Sequence, residues 1–252
     1  MVDYHLHTKL CRHAAGEMAE YIETAAAKGI EEICFTPHIP MPDFYGRNLR
    51  MEPADMEIYL TEVDKLKKEF PGMVILTGIE ADYYEGYEEY LENFLSSYSF
   101  DLVLISIHFI AGWPPGNWVF NFDFPGQPLS LIYHDYFQAL KKGINTGLFD
   151  IVAHFDLIKQ PGAPVLETNR EDVEEIIDLC CRNDVGIEIN TSGFRKAIGE
   201  SYPAPEITEM LVDKGVLLIS GSDAHAPEQV ALRFDTLQHI PITRYRKRRP
   251  LK

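Results

Sequence analysis

Seven short apolar runs, at residues 2–5, 32–36, 73–79, 102–107, 151–153, 185–189 and 216–220, alternate with segments of helical periodicity. Strands joined through helices by short connections pair in parallel, so this alternation predicts an α/β chain built on a parallel sheet. Residues 17–28 place Met18, Tyr21, Ile22 and Ala25 on one face and stop at Gly29. Residues 53–70 start at a proline, carry Met56, Leu60, Val63 and Leu66, and stop at Pro71-Gly72. Segments 87–95, 129–142 (before Gly143), 170–182 and 205–214 (before Gly215) follow the same pattern. The near-continuous apolar runs suit strands buried on both faces. A length of 252 residues is that of one (β/α) barrel, so a single domain is expected over 1–252, with a basic tail from about 240.

What stands at the ends of these runs is more informative than the runs themselves. His5, His38, Glu80, His108, His154 and Asp223 each end an apolar run or lie a few residues past it. With His7, His13 and His225 they include seven of the nine histidines. Imidazole nitrogen and carboxylate oxygen are the donors that borderline divalent cations prefer. Chemistry in barrels collects at the C-terminal strand ends, whereas an open sheet collects it at a switch point. Candidates at six of seven strands therefore predict closure. His5 and His7 share a face at a spacing of two, and Asp223 and His225 repeat that spacing after the last run. Glu80 offers two oxygens and can bridge two cations. His134, inside a helical segment, and His239, beyond the last helix, are expected to be ordinary core or surface residues. Two long loops, 37–51 and 109–128, are expected to wall the site. The second is aromatic, with Trp113, Trp118, Phe120, Phe122 and Phe124.

The formal charge of −16 argues against long nucleic acids and anionic membranes as partners. No apolar stretch reaches the roughly 18 residues of a membrane span. The opening Met-Val-Asp-Tyr-His has neither a basic nor an apolar leader region, so a cytoplasmic location is expected. The run Arg244-Tyr-Arg-Lys-Arg-Arg opposes the overall charge and reads as a solvated tail. Cys11, Cys34, Cys180 and Cys181 form no C-x-x-C and are expected to be reduced, buried thiols, with Cys11 close enough in sequence to His7 and His13 to approach a metal.

The pieces D-Y-H-L-H-T with His13, T-P-H ending at His38, G-I-E ending at Glu80, S-I-H ending at His108, A-H ending at His154 and G-S-D-A-H ending at His225 resemble the PHP (polymerase and histidinol phosphatase) superfamily. The likeness spans residues 2 to about 235, and all nine ligand positions are filled. H-F-I-A-G-W-P, H-F-D-L-I-K and I-N-T-S-G-F-R-K resemble its monofunctional histidinol-phosphatase branch, an activity of histidine biosynthesis. The resemblance implies a distorted seven-stranded, TIM-like barrel with three metal ions, zinc, manganese or iron. The first would take His5, His7, Glu80 and Asp223; the second would share Glu80 and add His108 and His154; the third would take His13, His38 and His225.

The expected reaction is hydrolysis of a small phosphate monoester, first of all L-histidinol phosphate. Glu80, Asp223, His225 and Arg195 are the expected catalytic group. Arg195, in the loop after the sixth run, suits phosphate because its planar fork matches phosphate oxygens. Lys159 is a second phosphate candidate. Trp113 and the acids Asp43 and Asp156 are candidates for recognising the substrate's cationic end. The alternatives are a PHP phosphoesterase acting on nucleotides or other esters, an amidohydrolase, and a metal-binding scaffold without catalysis. The residues do not fix an oligomeric state.

Overall fold

The structure, a computed structural model, describes residues 1–42 and 46–246. Seven strands run in chain order through the sheet: β1 (Val2–Leu6), β2 (Glu32–Phe35), β3 (Val74–Asp82), β4 (Leu102–Ser106), β5 (Ile151–Val152), β6 (Gly186–Asn190) and β7 (Leu218–Gly221). Every pairing is parallel, with Ile33 opposite Ile75, Glu80 opposite Leu104 and Ile187 opposite Leu218. The ends of the sheet meet where His7 N–H donates to Ala224 O at 2.9 Å and Ala224 N–H donates to His5 O at 3.2 Å. The Asp3 carboxylate ties the same seam from below, accepting from Ser222 N and Ala231 N at 2.8 Å each. The result is the expected distorted seven-stranded barrel, nearly closed.

Around it lie α1 (Met18–Ala27), α2 (Asp55–Glu69), α3 (Glu88–Ser96), α4 (Leu129–Asn145), α5 (Val165–Thr168), α6 (Arg170–Asn183) and α7 (Pro205–Lys214). Strand alternation sorts the core into two sets. Ile33, Val103, Ile105, Val152, Ile187 and Ile189 pack outward against the helices. Val2, Tyr4, Leu102, Leu104, Ile151 and Ile219 pack with one another inside the barrel. Glu80, Asp82, Glu188, Asn190 and His108 share the inward phase of their strands, which is how sheet geometry alone brings polar groups to one place.

Three expectations are corrected. The fourth long helix does not stop before Gly143 but runs on to Asn145, because Gly143 packs rather than caps. A Cβ there would lie 2.3 Å from Ile105 Cδ1 and 2.9 Å from Tyr83 Cγ. The chain after residue 243 is not a free tail as far as it is described. Tyr245 is buried against the inner set, its N–H donating to Tyr4 OH, while Arg246 donates to the buried Glu32 at 2.8 Å and Arg244 to Glu31. These contacts neutralise Glu32 at the N-terminal mouth of the barrel; residues 247–252 lie outside the described set. Finally, Cys11, Cys34 and Cys180 are buried free thiols, but Cys181 is exposed. Among the described residues no helix is long and apolar enough to cross a membrane.

Candidate metal centre

The C-terminal end of the barrel opens into a cavity of about 790 Å³. His13, His38, Glu80, His108, His154, Asp223 and His225 line it, and His5 and His7 lie beneath, fully buried. Most come from a strand end or the few residues after it, whereas His13 comes from the loop that follows the 3-10 turn Lys9–Cys11. β3 runs past its predicted end to Asp82, so Glu80 sits within the ladder, its N–H and O bonded to Pro37 and Ile39 of the neighbouring segment. His154 and Asp223 adopt left-handed backbone, φ 24° and 52°, a conformation that costs non-glycine residues energy and is concentrated at functional sites.

The side chains converge on Glu80. Its Oε2 lies 2.9 Å from His38 Nδ1, 3.3 Å from His5 Nε2 and 3.4 Å from His7 Nε2. Its Oε1 lies 3.0 Å from His154 Nε2 and 3.8 Å from His108 Nε2. Asp223 Oδ1 stands 3.2 Å from His7 Nε2, 3.5 Å from His225 Nδ1 and 3.7 Å from His5 Nε2. His7 and His225 stack with ring centroids 3.9 Å apart, and His13 lies tilted against His225 at 4.5 Å. All nine candidates from the sequence are gathered here. His134, bonded to Asp172 on the helical shell, and the exposed His239 are not.

A second layer sets the direction of the rings. Asp82 Oδ1 accepts from His108 Nδ1 at 2.7 Å while its Oδ2 accepts from the buried Arg50 at 2.8 Å. His13 Nδ1 lies 2.7 Å from Cys11 O, and His225 Nδ1 lies 3.0 Å from Asp223 O. The Cys11 thiol lies 3.6 Å from His7 Nδ1 and accepts from His38 N, so it braces the rings. His5 Nδ1 faces Glu188 Oε1 at 2.8 Å. Sequence reading missed Asp82, Arg50 and Glu188. The signal for Glu188 was a carboxylate on the inward phase of an otherwise apolar strand, and for Asp82 its place two residues after Glu80 on the same phase.

These donors fit metal ions on three grounds. Nε2 of His5 and Nε2 of His7 face each other at 3.1 Å, a contact between two lone pairs unless a proton or a cation intervenes. His154 Nδ1 and His225 Nε2 are buried without a hydrogen-bond partner, and the 2.9 Å approach of His38 Nδ1 to Glu80 Oε2 lacks hydrogen-bond geometry, so desolvation of these atoms is poorly offset by the protein alone. Burial drives His7 down to about 3, helped by His38, and drives His225 to about 3, helped by His7; His38 falls to about 4, again chiefly through burial. Neutral imidazole is the ligating form; His5 and His108 are shifted up instead, burial being outweighed by Glu188 and Asp82 respectively, so a cation there would displace a proton. Burial alone would raise Glu80 and Asp223, but the surrounding imidazoles, His38 and His5 for Glu80 and His5 and His7 for Asp223, outweigh it and hold both carboxyls well below their usual range. Sets such as His5/His7/Glu80, Glu80/His108/His154 and His7/His38/His225 each bring their ligand atoms within 4.8 Å of one another.

The rim is more mixed. Arg195 lines the cavity and donates to Ser222 O at 2.9 Å and Asp223 O at 2.8 Å, which leaves three of its five N–H groups for a ligand. Lys159 also reaches the cavity, but its ammonium is already held by Ser201 O at 2.6 Å, Glu200 at 2.9 Å and Asp156 at 3.3 Å. Trp113 does not reach the cavity; it packs on Phe122 and Phe124 and donates to Asp135, while Trp118 and Phe120 form the aromatic wall. Asp156 is fully buried and committed to Ala204 N and Lys159, so it is not at the mouth. Asp43 lies outside the described residues.

Comparisons with known proteins agree with this geometry. A protein of Deinococcus radiodurans named "Probable histidinol-phosphatase" is 34% identical over 242 residues, covering 95% of this chain and 92% of its own. The Bacillus subtilis protein named "Histidinol-phosphatase" is 27% identical, covering 92% of this chain and 96% of its own. In fold, the chain is similar to a histidinol phosphate phosphatase of Lactococcus lactis solved with zinc, L-histidinol and phosphate: TM-score 0.76, 20% identity, 96% of this chain and 94% of that one. The PHP domain profile matches residues 3–192, and the chain belongs to that family.

Proposed function

We propose that this protein is a metal-dependent histidinol-phosphatase, hydrolysing L-histidinol phosphate to L-histidinol and phosphate. One observation carries the reading: nine cation-binding side chains converge under a single cavity whose rim presents the guanidinium of Arg195. The relatives named for this activity match nearly the whole chain, and one homologous fold holds zinc, histidinol and phosphate together.

Three cations fit the donor set. His5, His7, Glu80 and Asp223 would hold the first, Glu80, His108 and His154 the second, and His13, His38 and His225 the third, with zinc the ion found in the Lactococcus lactis relative. Such cations supply Lewis-acid charge for phosphoryl oxygens and acidify water towards neutrality. The chain itself contributes position and charge. Glu80, with one oxygen toward His5, His7 and His38 and the other toward His154 and His108, joins the halves of the site. Arg195 would orient the phosphoryl group with its remaining N–H donors, and Asp223 and His225 beside it would hold cations at the cavity floor. Trp118 and Phe120 exclude water from one side and offer ring faces to a cationic substrate. Lys159 would act mainly on Glu200 and Asp156, and only indirectly on the ligand.

Phosphate release from L-histidinol phosphate, measured beside a panel of other monoesters and a nucleotide diester on metal-loaded protein, tests this. The account expects a clear preference in kcat/KM for histidinol phosphate. Equal turnover of all monoesters would leave a phosphatase of another substrate, and no turnover of any ester by fully loaded protein would leave a metal-binding scaffold.

A further inference from the structure

Glu188 lies in β6 between Ile187 and Ile189, inside the barrel and directly below the metal-binding side chains, with none of its surface exposed. Among the described residues it forms no ion pair with lysine or arginine, unlike Asp82, which has Arg50. Room for it is made by Gly221 of β7: a Cβ there would stand 1.8 Å from Glu188 Oε1 and 2.7 Å from His5 Cβ.

The hydrogen-bond polarity around this carboxylate can be read without ambiguity. Ser192 N–H, a donor by its chemistry, gives to Asn190 Oδ1 at 2.8 Å. The other end of that amide must then be Nδ2, which donates to Glu188 Oε2 at 3.0 Å. His154 N–H, also a fixed donor, gives to the same oxygen at 2.9 Å. Oε2 is thereby committed to two donors. Oε1 is left facing His5 Nδ1 at 2.8 Å, and a carboxylate oxygen can only accept.

We infer that Glu188 is the positioning residue that fixes the tautomer of His5, holding the proton on Nδ1 so that the Nε2 lone pair is free for a cation. The inference rests on the metal-site reading above and on none of its substrate assignment. The same carboxylate bonds the backbone of His154, so it aligns ligands from β1 and from the end of β5 together. The role also explains why a charged residue is tolerated in an interior strand position, and why Gly221 of β7, against its Oε1, carries no side chain.

Glu188→Gln separates this role from mere support. The replacement has the same shape, but the two donors on the Oε2 side require its carbonyl there, which turns the NH2 toward His5 Nδ1. His5 must then accept at Nδ1 and carry its proton on Nε2, where the cation should bind. The measurements are zinc affinity by competition with a chromogenic chelator and the protonation pattern of His5 by long-range proton–nitrogen NMR on metal-free, histidine-labelled protein. The spectra are taken at a pH high enough that the ring, which burial lowers but Glu188, Asp223 and Glu80 shift up on balance, is neutral. The expected results are zinc binding roughly 10- to 100-fold weaker in the variant, the range typical of partners that orient metal-bound histidine, and a His5 proton moved from Nδ1 to Nε2. A folded variant with wild-type zinc affinity and its proton still on Nδ1 would overturn the inference. If the variant does not fold, the wild-type spectrum still decides: a neutral His5 protonated on Nε2 refutes the assignment. Wild-type protein that takes up no zinc at all would instead refute the metal reading.

Discussion

Arg195 offers the sharpest test of how the rim and floor of the cavity are joined. Read from sequence alone, it binds phosphate, and its removal should chiefly weaken phosphate recognition. In the structure, two of its N–H groups are bonded to Ser222 O and Asp223 O, the carbonyls that flank and form the left-handed turn placing Asp223 in the cation cage. Hydrogen bonds from a charged donor contribute about 1.5–3 kcal/mol each. Cavity water can replace part of what is lost, so Arg195→Ala should destabilise the metal-free protein by about 2–4 kcal/mol in total. For a chain of this size that corresponds to a melting temperature lowered by at least about 4 °C. Arg195→Lys keeps the charge but loses the planar fork whose two nitrogens each reach one carbonyl, so it should recover only part of the stability. The assays are denaturant unfolding of metal-free wild type and both variants, then zinc affinity, then steady-state kinetics. The expectation is a loss in all three for Arg195→Ala, with weaker zinc binding as well as a higher KM. Unchanged unfolding and zinc affinity, with an effect confined to KM, would refute the coupling and return Arg195 to a purely ligand-binding role.

Glu80→Gln removes the carboxylate on which five imidazoles converge and should lose bound metal and reduce kcat/KM by more than the roughly 100-fold seen when only an orienting partner is changed; elemental analysis showing normal metal content would contradict the bridging assignment. Gly143→Ala would gain about 1 kcal/mol in an ordinary helix, but the contacts with Ile105 and Tyr83 should reverse the sign to a net loss of about 1–2 kcal/mol by chemical denaturation. Asp172 ties α4 to α6; burial would raise its carboxyl, but hydrogen bonds from Lys141, His134 and Asn169 outweigh that and hold it below the ordinary value of 3.8. A carboxyl lowered by folding contributes stability above its unfolded value and loses it as pH falls through the folded one. Asp172→Asn should therefore cost about 1 kcal/mol near pH 7, with the gap to wild type closing below pH 3.8, and a gap independent of pH would show the charge to be irrelevant.

The barrel and its cation-binding side chains were legible in the sequence because both depend on local rules. Apolar runs of three to seven residues announce the strands, and His5, His38, His108, His154 and Asp223 announce themselves by ending such runs or standing within three residues of them. What was hidden depends on contacts between distant segments. Glu188 is a lone charge in an apolar strand and Asp82 a second carboxylate two residues past Glu80, and only the closed barrel shows that they lie under His5 and His108. Gly143 carries a capping signature yet serves a close approach to β4, a distinction no helical pattern contains. Arg244 and Arg246 look solvated until Glu31 and the buried Glu32 are brought beneath them. Trp113 and Trp118 are equivalent in a loop rich in aromatics; which of them faces the cavity follows from the turn at 118–121 and the Val119–His108 bond.

The account stands on the gathering of His5, His7, His13, His38, Glu80, His108, His154, Asp223 and His225 into one cation cage. Counting the zinc ions held by purified wild-type protein after equilibrium dialysis, by mass spectrometry of the intact protein with elemental analysis alongside, tests that most directly. Three tightly held ions per chain is the predicted result, and a chain that retains one ion or none under saturating zinc contradicts it.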